Sequence, residues 1–425
     1  MIGVVADDIT GANDIGAMFT IGGYTADVYG YDDDVDFRYG RPDVIILDTN
    51  SRLDAGDEAY KKVRHAVQRL QEIGCTLFFN KTCSVFRGNI GPEFDAMLDQ
   101  LEQDFAVVVV GFPKNGRKTV NGIHYVHGVP LAESEFQNDP IHPMTESNLV
   151  KILSAQTTRG VGLIEHTILE QGVQALRNRA EEMRNDYDYV IIDVEDQDSL
   201  RTIARAFKDE YILCGSSALG EELPGVLKRP RDTQATLPVA SYDGQGILCV
   251  AGSLMPQTRA QVEYSVKEGL IPYELDTVSL MEVAHRQDVL AELKHAIITH
   301  MNSGRDVVLH SSNDPDVVAK TKELGAERGL TDAQVGRVVS QSLTQVVVDC
   351  LQETGQIRFL TAGGETSNAI CQGLGITGMR VWKEIQPGVP SCYSLEQKPR
   401  LFVLKSGSFG KPDFFVRALE HMKQE

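Results

Sequence analysis

The sequence predicts an α/β protein with two domains, each built on a mostly parallel sheet flanked by helices. Short apolar runs typical of buried strands alternate with amphipathic helical stretches in both halves of the chain. A polar segment with two prolines, residues 227–246, interrupts this alternation and is typical of a linker. The 425 residues suffice for two separate cores. We therefore expect a first domain at 1–230, a linker at 231–246 and a second domain at 247–425.

The individual elements follow in chain order. In the first half we expect strands at residues 2–5, 43–48, 76–79, 106–110 and 189–194, and helices at 58–73 and 92–101. Residues 129–145, which contain three prolines, are expected to form an irregular excursion. In the second half, strands are expected within GILCVAGS, RDVVLHSS, QIRFLTAGGETS and RLFVLKSGSFG. Strands that alternate with helices in this way favour parallel pairing.

The composition limits the classes of partner. The chain carries 60 acidic and 41 basic residues, and its net charge of −19 disfavours nucleic acid and anionic membranes as partners. An anionic substrate would therefore need a local cationic pocket. We recognise neither a membrane-spanning apolar run nor a signal peptide. The seven cysteines are dispersed without a CxxC pair, which is typical of reduced thiols, so we expect a cytoplasmic protein.

Three strands of the first half end in chemically suggestive turns. The first strand ends in Asp7 and Asp8, and the second, in IILDTNSR, ends near Arg52. The third, in LFFNKTCSVFRGNIG, is followed by the polar set Lys81, Thr82, Cys83, Ser84 and Arg87. Because parallel strands end at one edge of a sheet, we expect these groups to converge.

Such a site would offer acids that bind or deprotonate hydroxyls and cations that hold a carboxylate. A small polyhydroxy acid fits that inventory. Each group taken alone is also compatible with a helix cap or a surface ion pair. For Arg52 the competing interpretation is an exposed ion pair with Asp54 or Asp57.

Three glycine-rich turns in the second half indicate a nucleotide site. Gly252 and Ser253 follow a strand and precede a helix that opens at Pro256. Gly363 and Gly364, and later Gly407, occupy similar positions between a strand and a helix. Glycine lets backbone N–H groups approach phosphates closely, and helix N-termini favour negative charge.

Three further patterns are expected to be accidental. GFPKNGRKT, residues 111–119, differs from a P-loop because Arg117 separates the glycine from the lysine and no helix follows. GLGITG, residues 373–378, follows a helix where the dinucleotide fingerprint requires a strand. His124 and His127 would face opposite sides of a strand, so we expect no metal centre there.

Five motifs taken together resemble the four-carbon acid sugar kinase family. They are ADDITGAND, KTCSVFRGNIG, GGETSNAI, PGVP and KSGSFGKPDFF, and they run in order from residue 3 to about residue 415. The resemblance implies an ATP- and Mg²⁺-dependent phosphotransferase that acts on the terminal hydroxyl of a tetronate. It also implies a sugar-acid-binding first domain, a nucleotide-binding second domain and an active site in the cleft between them. Domain closure would exclude water.

Carried over by position, the resemblance implies roles for individual residues. Substrate contacts are expected at Asp7, Asp8, Arg52, Lys81, Thr82, Cys83, Ser84 and Arg87. Nucleotide contacts are expected at Ser253, Gly363, Gly364, Glu365, Thr366, Ser367 and Gly407. We expect Asp8, rather than Asp7, to act on the reacting hydroxyl and Lys81 to neutralise phosphate charge.

The substrate and several alternatives stay open at this point. Relatives usually have KxDST where this chain has KTCSV, so Cys83 and Val85 depart from the pattern, and Glu365 replaces an aspartate. The RGNIG ending favours D-threonate or D-erythronate. A 3-oxo-tetronate kinase, a P-loop-type hydrolase and a non-catalytic sugar-acid-binding protein are the alternatives. The sequence sets neither the magnesium ligands nor the oligomeric state, and a homodimer stays open.

Overall fold

The computed structural model describes residues 1–139, 142–227, 241–282, 286–312 and 314–425, and the chain divides into two compact units, 1–235 and 236–425. Each unit contains a largely parallel sheet flanked by helices, so the predicted fold class is confirmed. The linker predicted at 231–246 lies mostly outside the described residues. Its described part, residues 241–246, contains no strand or helix.

The first unit alternates strands and helices as predicted. Its elements are β1 (Ile2–Ala6), α1 (Ile9–Ile21), β2 (Ala26–Gly30), β3 (Val44–Asp48), α2 (Gly56–Ile73), β4 (Leu77–Lys81), α3 (Ile90–Leu101), β5 (Ala106–Val109), β6 (Arg117–Val120), β7 (Ile123–Val126), β8 (Val129–Pro130), α4 (Leu149–Ser154), β9 (Val161–Ile164), α5 (His166–Leu169), α6 (Val173–Met183), β10 (Tyr189–Ile192), α7 (Gln197–Phe207), β11 (Ile212–Gly215) and α8 (Leu219–Glu222). The bounds of the predicted elements agree within about two residues, while β2, β9 and β11 were not predicted.

The main sheet of this unit has the strand order β2-β3-β1-β4-β11-β5-β10-β9, and all its pairs are parallel. Every residue of β1, β3 and β4 is buried, as expected for strands covered on both faces. Helix α2 shows how the sequence sets this packing, because Val63, Ala66, Val67 and Leu70 form the buried stripe that its periodicity predicts.

Strand β1 lies at a topological switch point. The chain leaves β1 toward β2 in one direction along the sheet, but it leaves β3 and β4 in the other direction. Right-handed crossovers therefore place α1 on one face and α2 and α3 on the other, and α1 indeed packs on α8 whereas α2 packs on α3. Ligands of open α/β sheets bind in the crevice at such a point, beyond the carboxyl ends of the strands.

The segment that resembles a P-loop folds differently, as expected. A short 3₁₀ turn, Pro113–Asn115, leads into β6, which pairs with β7 and β8 in a small antiparallel sheet. No helix follows the glycines to bind phosphate. The predicted excursion at 129–145 contains β8 and two 3₁₀ turns, and residues 140 and 141 lie outside the described residues.

The second unit repeats the α/β alternation. Its elements are β12 (Leu248–Ala251), α9 (Pro256–Lys267), β13 (Ile271–Leu275), α10 (Thr277–Leu280), α11 (Arg286–Asn302), β14 (Val307–Ser311), α12 (Pro315–Glu327), α13 (Asp332–Thr354), β15 (Arg358–Ala362), α14 (Gly364–Gly373), β16 (Gly378–Gln386), β17 (Val389–Ser394), β18 (Leu401–Lys405) and α15 (Phe414–Gln424). Helix α9 opens at Pro256, as predicted, and GLGITG follows α14, which confirms that it is no dinucleotide fingerprint.

The sheet of the second unit has the order β13-β14-β12-β15-β18-β17-β16. The pairs from β13 to β18 are parallel, whereas β16 and β17 form an antiparallel hairpin that the sequence analysis did not predict. Helix α9 packs on α15, and α14 packs on α13, so the chain leaves β12 and its neighbour β15 toward opposite faces. This unit therefore has its own switch point, between β12 and β15.

Candidate functional site

Three turns of the first unit meet at its switch point, as the sequence predicts. Asp7 and Asp8 follow β1, and Arg52 follows β3. The Arg52 guanidinium donates from Nε and Nη2 to the two oxygens of Asp7, at 2.7 and 2.8 Å, and from Nη1 to Asp8 Oδ2 at 2.6 Å. Arg52 therefore forms neither of the exposed pairs considered from sequence, with Asp54 or with Asp57. It is a buried cross-link between two strand ends.

Asp8 is the N-cap of α1. Its Oδ1 accepts the Gly11 N–H at 2.7 Å, and its Oδ2 accepts the Thr10 hydroxyl at 2.9 Å as well as Arg52. Burial raises the pKa of Asp8, but the charges of Arg52 and Lys81 and these hydrogen bonds outweigh it and hold the pKa below its usual value. A carboxylate with both oxygens engaged and a low pKa is a weak proton acceptor, so this geometry does not favour Asp8 as the base, and that assignment stays a prediction.

Lys81 ends β4 beside the start of α1. Its side chain is buried, its Nζ donates to the Thr82 carbonyl at 3.0 Å and lies 3.8 Å from Asp14 Oδ2. A Cβ at Gly11 would lie 2.7 Å from Asp8 Oδ1 and 2.9 Å from Lys81 Nζ, so glycine is what lets the ammonium approach the helix here. The buried Thr82 hydroxyl has no hydrogen-bond partner within the described residues.

Cys83 lies in a cationic environment. Arg87 Nε contacts its Sγ at 3.5 Å, and the Arg87 guanidinium also pairs with Asp139 and lies over the Phe136 ring. Burial alone raises the pKa of a thiol, yet Arg87 and Arg52 together lower the pKa of Cys83. The local potential at Cys83 is thus positive although the whole protein is strongly acidic, which is what an anionic ligand requires. Ser84, next in the chain, is buried.

Two buried acids beside this site were not predicted as site residues. Asp48 ends β3, and burial together with the charges of Asp8 and Asp7 raises its pKa to about 7. Glu93, on α3, accepts the Ser51 hydroxyl at 2.7 Å, and burial raises its pKa well above the usual value. The sequence shows only that Asp48 stands at a strand end. Nothing in it distinguishes Glu93 from an ordinary acid in a first helical turn.

His124, in the HYVH stretch, has its contacts within the protein. This side chain is buried, it contacts the Thr119 hydroxyl at 3.1 Å and the Ser84 carbonyl at 2.9 Å, and burial lowers its pKa to about 4. Within the described ranges, no group of three or more His, Cys, Asp or Glu residues is arranged to hold a metal ion. All seven cysteines are buried.

The glycine turns of the second unit meet at the switch point between β12 and β15. A Cβ at Gly407 would overlap the Ser253 hydroxyl, and a Cβ at Gly363 would lie 3.3 Å from the Ser253 N. A Cβ at Gly252 would overlap the Thr366 side chain. Only glycine permits these approaches, and Gly363 also has a left-handed φ of +124°. The structure thus brings the predicted nucleotide residues together.

Helix α14 begins inside this cluster. Gly363 is its N-cap, so the N–H groups of its first turn, Gly364 to Thr366, lie at the positive end of the helix dipole. Ser367 is buried and shares a 2.6 Å hydrogen bond with the Thr361 hydroxyl, which fixes the helix to β15. Glu365 is exposed.

The turn after β18 is held by a lysine that was not predicted as a site residue. Lys405 is fully buried, and its Nζ donates to the Thr258 hydroxyl and to the carbonyls of Ser406, Gly407 and Phe409 at 2.7–3.1 Å. Burial lowers the pKa of Lys405 to about 7. The lysine thus holds the carbonyls of this turn inward, and the Phe409 N–H closes the turn on the Ser406 carbonyl at 3.2 Å.

The comparisons with known proteins agree with this division. A sugar-binding N-terminal domain model matches residues 2–223, and a nucleotide-binding C-terminal domain model matches residues 248–415. Together these models cover most of the chain. The chain belongs to the four-carbon acid sugar kinase family.

Members of the four-carbon acid sugar kinase family match the chain over its full length. A 3-oxo-tetronate kinase of Pseudomonas savastanoi pv. phaseolicola is 34% identical over 99% of this chain and 97% of its own length. A 3-oxo-tetronate kinase of Haemophilus influenzae is 32% identical over 98% of this chain and 99% of its own length. A solved Salmonella typhimurium LT2 structure is similar with a TM-score of 0.82 and 27% identity, and 99% of each chain is covered. No helix of the described residues is long and apolar enough to cross a membrane.

Proposed function

We propose that this protein transfers the terminal phosphoryl group of ATP to the terminal hydroxyl of a four-carbon sugar acid. The observation that carries this proposal is the cationic environment of Arg87, which contacts Cys83 and has Asp139 as its one acidic partner among the described residues, at a strand-end crevice in a protein of net charge −19. Such an environment offsets the general repulsion of an anion. The glycine turns that meet at Ser253 in the second unit support a site for the phosphates of the nucleotide.

The substrate we propose is 3-oxo-tetronate. The names of the relatives support this alternative over the D-threonate or D-erythronate expected from the RGNIG ending. That expectation rested on a short motif, whereas the relatives match nearly the whole chain. A non-catalytic sugar-acid-binding protein is the remaining alternative from another class.

Arg87 is the residue we propose to hold the substrate carboxylate. Its Nε and Nη1 contact Cys83 and Asp139, while its Nη2 donates no hydrogen bond within the described residues. The Nε, Nη1 and Nη2 groups of Arg52, in contrast, all donate hydrogen bonds to Asp7 and Asp8. Lys81 would offset charge on the transferred phosphoryl group.

In the second unit, Ser253, Thr366, the N–H groups of Gly364 and Glu365 and the turn at Gly407 would hold the ATP phosphates, while the Gly363 N–H donates to the Lys405 carbonyl at 2.8 Å. Mg²⁺ typically binds through phosphates, waters and only one or two carboxylates. The bound ion would neutralise charge on the phosphates during transfer.

A coupled assay of ADP release tests the proposal. Wild-type protein receives MgATP with 3-oxo-tetronate, D-threonate, D-erythronate, a neutral four-carbon polyol or no acceptor. We expect turnover with the acids and the highest kcat/KM with 3-oxo-tetronate. Turnover that does not depend on the acceptor would indicate a hydrolase, and binding of an acid without any turnover would indicate a sugar-acid-binding protein.

The carboxylate assignment needs a second comparison, between Arg87→Gln and wild type. We expect a rise in the KM for the acid that corresponds to about 2–4 kcal/mol of lost binding free energy, because the bound carboxylate loses a charged partner. The neutral polyol should be affected much less. Equal losses on both acceptors would assign Arg87 to the fold.

A further inference from the structure

Asp48 occupies a distinctive place in the crevice of the first unit. It is the last residue of β3 and pairs in register with Ala6 of β1, the residue directly before Asp7 and Asp8. The residue is buried, with 7% of its surface exposed. It thus stands at the switch point where ligands of such sheets bind, beside the carboxylates expected from sequence to act on the substrate.

The three carboxylates differ in how their oxygens are used. Both oxygens of Asp7 accept hydrogen bonds from Arg52, and both oxygens of Asp8 are engaged by the cap of α1, Thr10 and Arg52. Asp48 Oδ1 accepts the Asn50 N–H at 2.9 Å, whereas its Oδ2 has no hydrogen-bond partner in the described part of the chain. Of these carboxylates, Asp48 therefore has an oxygen available for a proton.

The backbone fixes this carboxylate in place. Asn50 has a left-handed φ of +46°, and its N–H closes a tight turn back onto the Asp48 side chain. Asparagine tolerates this conformation better than most residues. Because one carboxylate oxygen is anchored to the turn, the other keeps a defined direction.

The charged groups around Asp48 suit proton exchange near neutral pH. Burial raises its pKa to about 7, the neighbouring charges of Asp8 and Asp7 act in the same direction, and the Asn50 N–H and Arg52 oppose them. A general base is most effective when its pKa is close to the working pH. Asp8, with its lowered pKa, is less suited.

We infer that Asp48 is the general base that accepts the proton of the attacking substrate hydroxyl, an inference that rests on the proposed kinase function. The hydroxyl proton passes to Asp48 Oδ2 while the hydroxyl oxygen forms a bond to the terminal phosphorus of ATP. The bond between that phosphorus and the bridging oxygen breaks, and ADP leaves with the electron pair. Asp48 then releases the proton to water. Asp7 and Asp8 remain paired with Arg52 throughout.

The competing interpretation is that Asp48 serves only the turn. Asp48→Asn separates the two, because an amide oxygen can still accept the Asn50 N–H but cannot take a proton at neutral pH. A matched control is Asp193→Asn. Asp193 is also a buried aspartate directly after a strand, with a pKa raised by burial, but its oxygens are taken by the N–H groups of Asn121, Gly122 and His166.

The experiment measures kcat, KM and their pH dependence for wild type, Asp48→Asn and Asp193→Asn with MgATP and the best acid of the panel. For Asp48→Asn we expect kcat to fall about 10²–10⁴-fold with unchanged KM values. The wild-type fall of kcat below about pH 7 should disappear, while Asp193→Asn should keep it. Asp48→Gly should regain activity with added formate, which can take the place of the lost carboxylate.

The outcomes separate the two proposals. If wild type is active and Asp48→Asn keeps its kcat or the same pH dependence, Asp48 is not the base and the kinase function stands. Loss of activity in Asp48→Asn accompanied by loss of ATP or acid binding, and without formate recovery in Asp48→Gly, would assign Asp48 to the fold. If wild type phosphorylates no acid, both proposals fall.

Discussion

Replacing Arg52 with alanine should destabilise the first unit strongly. Its side chain is only 15% exposed, and it donates three hydrogen bonds of 2.6–2.8 Å to two aspartates that are themselves buried. Removing one partner of a buried ion pair leaves its partners charged and without compensation. We therefore expect Arg52→Ala to lower the free energy of unfolding by about 3–5 kcal/mol.

Urea unfolding followed by circular dichroism measures this loss. Arg179→Ala is the matched control, because Arg179 forms an ion pair with Glu182 in which both side chains are about half exposed or more. Such a pair contributes at most about 1 kcal/mol. Adding Asp7→Asn to Arg52→Ala should recover part of the stability, since it removes the carboxylate whose two oxygens accept from Arg52, whereas Asp8 keeps the Gly11 N–H and the Thr10 hydroxyl.

The competing expectation is that Arg52 binds the substrate carboxylate. In that case Arg52→Ala would raise the KM for the acid with little effect on stability. A stability loss no larger than that of Arg179→Ala would refute the ion-pair argument and return Arg52 to the substrate.

Three further predictions concern the described contacts. Burial raises the pKa of Asp48 to about 7, above its value in the unfolded chain, so this group makes the wild type less stable as the pH rises from about 4 toward 8. Asp48→Asn lacks this loss, and urea unfolding should therefore show its stability relative to wild type increasing by about 3–4 kcal/mol over that range. Lys405→Met removes the buried amine that donates to three loop carbonyls; each carbonyl keeps one other donor, but the loop loses the group that ties them together, so calorimetry should show ATP affinity reduced by about 1–3 kcal/mol. Gly407→Ala should weaken ATP binding through its overlap with Ser253, whereas the open Gly336 in α13 should tolerate alanine without loss of binding.

Much of the framework could be predicted because it depends on local patterns. Continuous apolar runs mark strands that are buried on both faces, and the helical stripe of α2 identifies its packed side. Parallel strands then bring Asp7, Arg52 and Lys81 to one edge whatever their exact contacts. The hairpin of β16 and β17 was missed although Pro387 and Gly388, the two residues between the strands, form a recognised turn signal and Gly388 has a left-handed φ of +76°.

The roles of the individual charges could not be predicted, because they depend on partners distant in sequence. The sequence offers Asp54 and Asp57 as nearby ion-pair partners for Arg52, yet its actual partners, Asp8 and Asp7, lie 44 and 45 residues away. Lys405 is an ordinary lysine in sequence, and only the fold surrounds it with inward-facing carbonyls. The raised pKa of Asp48 likewise arises from burial and from charges on another strand.

These contacts divide the cations of the first unit into two kinds. Arg52 forms ion pairs with both Asp7 and Asp8, so these two carboxylates neutralise its charge. Arg87 has one acidic partner among the described residues, Asp139; its Nε contacts Cys83, and its Nη2 donates no hydrogen bond there. An entering carboxylate would compete with two aspartates at Arg52 but with one at Arg87. The less compensated charge attracts the anion more strongly, so Coulombic balance favours Arg87 as the carboxylate partner and leaves Arg52 to hold the strand ends that carry it.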